Sequence, residues 1–331
     1  MENDSKEGVV LSGMRPTGQL HIGHFEAVLQ NWVKLQETHD CFYFVADWHA
    51  TTTEESTAGI PDFAIDNVAD WLAFGIEPDK STVFVQSHVP EHFELAAHLL
   101  PLVNYGRLVR MPTFKGFVDH IAGDRVFRDD DRILEGDERL EAAAKRDITS
   151  AFVVYPVIQA ADILIYDTTH VPVGEDQVPH VELTRDLAGA FNRRYGDIFV
   201  VPEADLMEIP RIRGYDGRKM SKSFDNDINP GDDLDTITNR IKKTITVRPT
   251  LDTKGDPFEC PVYDLHRIFN KEGEAETQLG CVNATSRCYD CKMELPERIA
   301  DAYADYRTKR AEISNDDVVD ILREGNLKAR E

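Results

Sequence analysis

Val9-Val10-Leu11-Ser12-Gly13-Met14-Arg15-Pro16-Thr17-Gly18-Gln19-Leu20-His21-Ile22-Gly23-His24 stands near the start of the chain. An apolar strand at Val9, Val10 and Leu11 runs into a Gly/Pro turn, and a helix then opens at His21 or Ile22. The helix start offers backbone N–H groups, and His21 and His24 are spaced to share one side of it. Gly23 between them lets a ligand ring approach the backbone. A helix N-terminus carrying two imidazoles suits a phosphate group. Outward from this unit, apolar runs at 9–13, 41–46, 82–86, 171–174 and 197–201 alternate with helix-period segments at 25–35, 63–74 and 92–100. That alternation predicts βαβ units and an α/β fold with a doubly wound parallel sheet. No Gly-x-Gly-x-x-Gly fingerprint follows a strand and no Walker-type loop is present, which removes support from dehydrogenase and P-loop readings.

A second motif, Lys219-Met220-Ser221-Lys222-Ser223, follows the loop Gly214-Tyr215-Asp216-Gly217. Two lysines among small hydroxyl residues read as a mobile cationic flap able to close on a pyrophosphate leaving group. The 331 residues suffice for two domains. The first is expected over 1–223, interrupted by a charged insertion at about 116–149. The second, over 224–331, is expected to be mainly helical. The net charge of −23 opposes non-specific binding to polyanions. Arg240, Lys242, Lys243, Arg248, Arg307, Lys309 and Arg310 form a candidate basic track, with solvated helix faces as the alternative. No run spans a bilayer and no secretory core opens the chain, so no membrane association and a cytoplasmic address are expected.

The segment from Tyr155 to Leu164 reads as a helix with Pro156 in its first turn. Tyr155, Gln159 and Asp162 share one face of this otherwise apolar helix, so they either bond one another or meet a ligand. Val171-Pro172-Val173-Gly174-Glu175-Asp176-Gln177 ends a strand and opens a helix, which suits Gly174–Gln177 for ligand contacts at a strand's carboxyl end. Its acidic residues fit a plain helix N-terminus equally well. Asp47-Trp48-His49-Ala50 occupies the same kind of position. Among the cysteines, Cys41 reads as a buried thiol. Cys260, Cys281, Cys288 and Cys291 form C-x20-C-x6-C-x2-C, which favours metal over disulfides in a cytoplasmic protein. A tetrathiolate selects zinc or an iron–sulfur cluster, and only one C-x2-C knuckle is present.

The two flanking motifs together resemble the signatures of class I aminoacyl-tRNA synthetases, which implies a Rossmann-like catalytic domain. Over nearly its whole length the chain is similar to the bacterial-type tryptophanyl-tRNA synthetase family. This resemblance implies activation of L-tryptophan by ATP and Mg²⁺, then acylation of tRNA(Trp). It gives His21, His24, Lys115, Lys219 and Lys222 the task of stabilising phosphate charge, with no covalent enzyme intermediate. It places Arg15, Pro16, Thr17, Gly23, His24, Gly174, Glu175, Asp176, Ile212, Lys219, Met220, Ser221, Lys222 and Ser223 around ATP.

On the same resemblance His49, Tyr155, Gln159, Asp162 and Gln177 bind tryptophan, with Asp162 accepting the indole N–H and Tyr155 and Gln177 holding the α-amino end. Gln159 departs from the methionine that many bacterial tryptophan enzymes carry there. The four clustered cysteines resemble those of a family subset with a [4Fe–4S] cluster beside the anticodon-binding region, zinc being the alternative. The family is homodimeric, and its members continue with a further helix, so residues 325–331 are expected to fray. Tyrosyl-tRNA synthetase is the nearest rival. A small-molecule adenylate-forming enzyme and a non-catalytic RNA-binding or redox paralogue are the others.

Overall fold

The computed structural model describes residues 6–52, 56–123, 128–129, 132–133, 148–207, 212–221 and 224–331. Most of the expected insertion, together with Lys222 and Ser223, lies outside the described residues. Five strands form one sheet: β1 (Val9–Met14), β2 (Asp40–Val45), β3 (Ser81–Val85), β4 (His170–Val173) and β5 (Glu203–Leu206). Their spatial order is β3-β2-β1-β4-β5, and every pairing is parallel. The order reverses between β1 and β4, which leaves a crevice at the carboxyl ends of those strands.

Strand periodicity of two sorts the apolar residues onto two covered faces. Val10, Met14, Tyr43, Val45, Val83 and Val85 pack with Phe25, Trp32 and Trp71 from helical segments 22–35 and Ile60–Phe74. Leu11, Phe44, Phe84 and Val173 turn the other way, onto Ile163 of helix Ser150–Leu164 and Val181 of helix Val178–Tyr195. This arrangement is the doubly wound α/β fold that the alternation predicts. Two local expectations need correction. Residues 197–201 are not a strand: Asn192 accepts from the N–H groups of Ile198 and Phe199 and holds them in a loop, so the fifth strand begins at Glu203. Pro156 is not in a first turn either. Thr149 caps the helix by accepting from Phe152 N, so Pro156 sits inside it.

After Phe224 the described residues contain helices and no strand. Ile237, Ile241, Leu265, Ile299, Tyr303 and Val318 join the same apolar cluster as Phe25 and Trp71, so these helices share the core of the sheet. Much of the expected basic track is spent in holding them there. Arg310 pairs with Asp70 at 2.9 Å and Asp66 at 3.2 Å. Arg248 donates to Thr253 O and Ser286 O, Arg307 to Pro230 O, and Arg240 to Asp227 O. Lys242, Lys243 and Lys309 remain exposed.

The end of the chain does not fray. Helix Asn315–Lys328 lies on β3, Ala329 is buried, and Arg330 pairs with Glu91 at 2.6 Å. Gly325 fits so closely that a Cβ there would collide with the backbone carbonyl of Val83. Asn326 Oδ1 accepts from Val85 N at 2.9 Å, which covers an edge that a sheet would otherwise leave open. Gly325→Ala is therefore expected to lift this helix from β3 and destabilise the protein by roughly 1–3 kcal/mol. Thermal denaturation checks this, and an unchanged Tm contradicts the close packing.

Candidate active site

Helix formation at Ile22 rests on His21, whose Nδ1 accepts from Gly23 N at 3.1 Å. His24 Nδ1 accepts in return from His21 N at 3.2 Å, and the two ring centroids are 3.9 Å apart. With both Nδ1 atoms accepting, a neutral ring carries its proton on Nε2. The backbone N–H groups expected to bind phosphate are used internally, since Ile22 N donates to Ile228 O at 2.9 Å and Gly23 N to His21.

The second motif packs directly against the first. Asn229 Nδ2 donates to Leu20 O at 3.0 Å, and buried Met220 brings its Sδ to 4.0 Å from a Cβ built on Gly23. Asn226 organises this loop: its Nδ2 donates to Lys219 O at 3.1 Å and to Asp216 at 2.7 Å, and its Oδ1 accepts from Ser221 N at 2.7 Å. The Lys219 side chain is left exposed, and Ile212 is buried in the core. Arg213 ties the loop to helix Pro261–Phe269 through a buried pair with Asp264 at 2.6 Å.

A cavity of about 680 Å³ opens at the carboxyl ends of β1 and β4. Tyr155, Gln159 and Asp162 all line it, as do Arg15, His49, Gly174, Asp176 and Gln177. Among the described residues, His21, Gly23, His24, Pro16, Thr17, Lys115, Glu175, Ile212, Lys219, Met220 and Ser221 do not. Lys115 is exposed on helix Pro112–Gly123, which turns Thr113 and Phe117 to the cavity instead. Gln159 meets Gln177 at 3.5 Å, and Gln177 donates to Asp176 at 2.8 Å.

Asp162 is fully buried. His49 Nε2 reaches its Oδ2 at 2.8 Å, His92 Nδ1 its Oδ1 at 2.5 Å, and Gln86 Nε2 spans both at 3.0 and 2.8 Å. Burial works to raise its pKa, but hydrogen bonds from His49 and His92 outweigh burial and hold the carboxyl well below the ordinary carboxylate range. Tyr155 OH donates to Thr113 Oγ1 at 3.0 Å and lies 3.2 Å from His180 Nε2. Burial pushes His180 down from 6.5 to about 4. The unfolded chain therefore takes up this proton first, and stability from the neutral imidazole, complete above 6.5, is lost as pH falls towards 4. We expect the Tm to drop more steeply across that window for the wild type than for His180→Gln. Parallel slopes in thermal denaturation contradict this.

Cys260, Cys281, Cys288 and Cys291 line one cavity of about 30 Å³ beside Arg248, and all are free thiols. Among the described residues no group of three or more His, Cys, Asp or Glu forms a metal-ion site as it stands. The sequence reading missed Gln86, His92, Thr113, His180 and Asn226. Gln86 alone carried a signal, since it directly follows β3 at a carboxyl end.

The family described as tRNA synthetases class I (W and Y) matches residues 3–304. The tryptophan–tRNA ligase of Thermotoga maritima is 42% identical, covering 97% of this chain and 94% of the relative. That of Aquifex aeolicus is 36% identical over 97% and 95%. The crystal structure of tryptophanyl-tRNA synthetase from Campylobacter jejuni, complexed with ADP and tryptophan, superposes with a TM-score of 0.78 at 31% identity, covering 97% and 95%. With the crevice, the paired motifs and near full-length relatives in agreement, the chain belongs to the tryptophanyl-tRNA synthetase family of class I tRNA synthetases.

Proposed function

We infer that the protein is a tryptophan–tRNA ligase. It joins L-tryptophan and Mg²⁺–ATP into tryptophanyl-adenylate, releasing pyrophosphate, and passes the acyl group to a hydroxyl of the terminal ribose of tRNA(Trp), releasing AMP. The observation that carries the substrate is Asp162, a buried carboxylate at the cavity wall. Indole N–H is donor-only, and an ionised carboxylate is acceptor-only. Among the described residues that donate to Asp162, His49 alone lines the cavity, so it is the group that yields its place on Oδ2 to the indole. Tyr155 and Gln177 face the same space and take the α-amino group. The α-carboxylate of tryptophan then attacks the α-phosphate as pyrophosphate leaves, while His21, His24, Lys219 and Lys222 neutralise the charge that builds there.

Lys242, Lys243 and Lys309 supply cations for tRNA contact, because the arginines of the basic track serve the fold. A homodimer, with a tRNA spanning both subunits, fits this reading. The four cysteines would hold a [4Fe–4S] cluster. What supports a metal group here is that four free thiols line one cavity, a donor set that suits an iron–sulfur cluster, with zinc as the alternative. The cluster would tie together helices Pro261–Phe269, Glu274–Val282 and Cys288–Met293 at their ends.

ATP–pyrophosphate exchange with tryptophan and tyrosine in parallel tests the activity. Exchange with tryptophan alone is expected, and exchange with tyrosine alone overturns the substrate. Iron, sulfide and zinc analysis of anaerobically purified protein tests the cluster, and stoichiometric zinc without iron overturns it.

A further inference from the structure

His92 lies on helix Glu91–Leu99, fully buried and away from the cavity wall. Its ring is set among Phe44, Phe84 and Tyr166, with centroids at 6.4, 5.9 and 5.4 Å. Nδ1 bonds Asp162 Oδ1 at 2.5 Å, and Nε2 bonds Tyr166 OH at 2.7 Å. Because a carboxylate only accepts, Nδ1 must carry the proton. In the neutral ring Nε2 therefore accepts from the tyrosine hydroxyl, which fixes the tautomer.

The Asp162 carboxylate has about four acceptor positions. Gln86 takes one on each oxygen, and His92 takes the second on Oδ1. The position left over is on Oδ2, where His49 and the cavity lie. We propose that His92 is a positioning residue for substrate selection: held by Tyr166, it fills Oδ1 and turns the single exchangeable acceptor of Asp162 towards the substrate ring N–H. This rests on the tryptophan reading of the cavity and extends it to a residue that touches no substrate. Without the Nδ1 donor, the carboxylate is free to rotate, and its second oxygen competes for the same N–H.

The test compares wild type, His92→Asn and His92→Gln in the full-length protein. The amide nitrogen of asparagine falls near Nδ1, whereas that of glutamine falls near Nε2. Tryptophan KM and ATP KM are read from ATP–pyrophosphate exchange, and Tm is read alongside. We expect His92→Gln to raise the tryptophan KM about 10- to 100-fold with the ATP KM within about twofold, and His92→Asn to restore it to within about threefold. Equal losses in the two variants, or a rise in both KM values together, overturn the proposal and make His92 a packing residue. Absence of tryptophan exchange in the wild type instead overturns the underlying substrate reading, and it is visible before any variant is made.

Discussion

Asp162→Ala is expected to lower kcat/KM for tryptophan by about 10²- to 10⁴-fold while changing the KM for ATP by less than about threefold. The magnitude follows from what the deletion leaves behind. His49, Gln86 and His92 all aim donors at this carboxylate, two of them fully buried, and alanine offers them no acceptor. The indole N–H then enters a pocket of unpaired donors, which repels it more than an apolar wall does. Asp162→Asn separates shape from charge, since its amide presents one acceptor and one donor. That variant is expected to fall between alanine and wild type. Pyrophosphate exchange with each substrate titrated in turn gives both constants, and equal losses for tryptophan and ATP would falsify the assignment.

The second large effect is expected at Lys219. Its backbone is clamped by Asn226 while its side chain is exposed, so Lys219→Ala removes a charge without disturbing packing. Removal of one donor to charge that develops only in the transition state costs about 10²- to 10³-fold in rate. The activation kcat should fall by that factor, with tryptophan KM and Tm little changed. Single-turnover formation of the adenylate measures it directly. A change confined to tryptophan affinity contradicts the role.

The legible part of this protein is what local chemistry encodes. The strand at Val9, the turn and the cap at His21 follow from a short window, and so does the polar face of Tyr155, Gln159 and Asp162. The illegible part depends on residues distant in sequence. His92 meets Asp162 from 70 positions away and Asn326 meets Val85 from 241, and nothing local marks either as a partner. The misplaced fifth strand has the same origin, because Ile198, Val200 and Val201 are apolar enough for a strand and Asn192 prevents it. Arg240, Arg248, Arg307 and Arg310 read as either a track for nucleic acid or solvated helix faces, because charge is visible in sequence while carbonyl and carboxylate partners are not.

The cover on β3 also sets a clock. The Val85 N–H is made early in synthesis, and the Asn326 side chain that accepts it is made 241 residues later. At about 5–20 residues per second, that interval is roughly 10–50 seconds on the ribosome. Throughout it, the outer strand of a growing parallel sheet faces solvent uncovered, a state that invites pairing with a neighbouring nascent chain on the same message. Slow or paused translation of helix Asn315–Lys328 prolongs that exposure, so the yield of folded enzyme depends on how quickly that helix emerges.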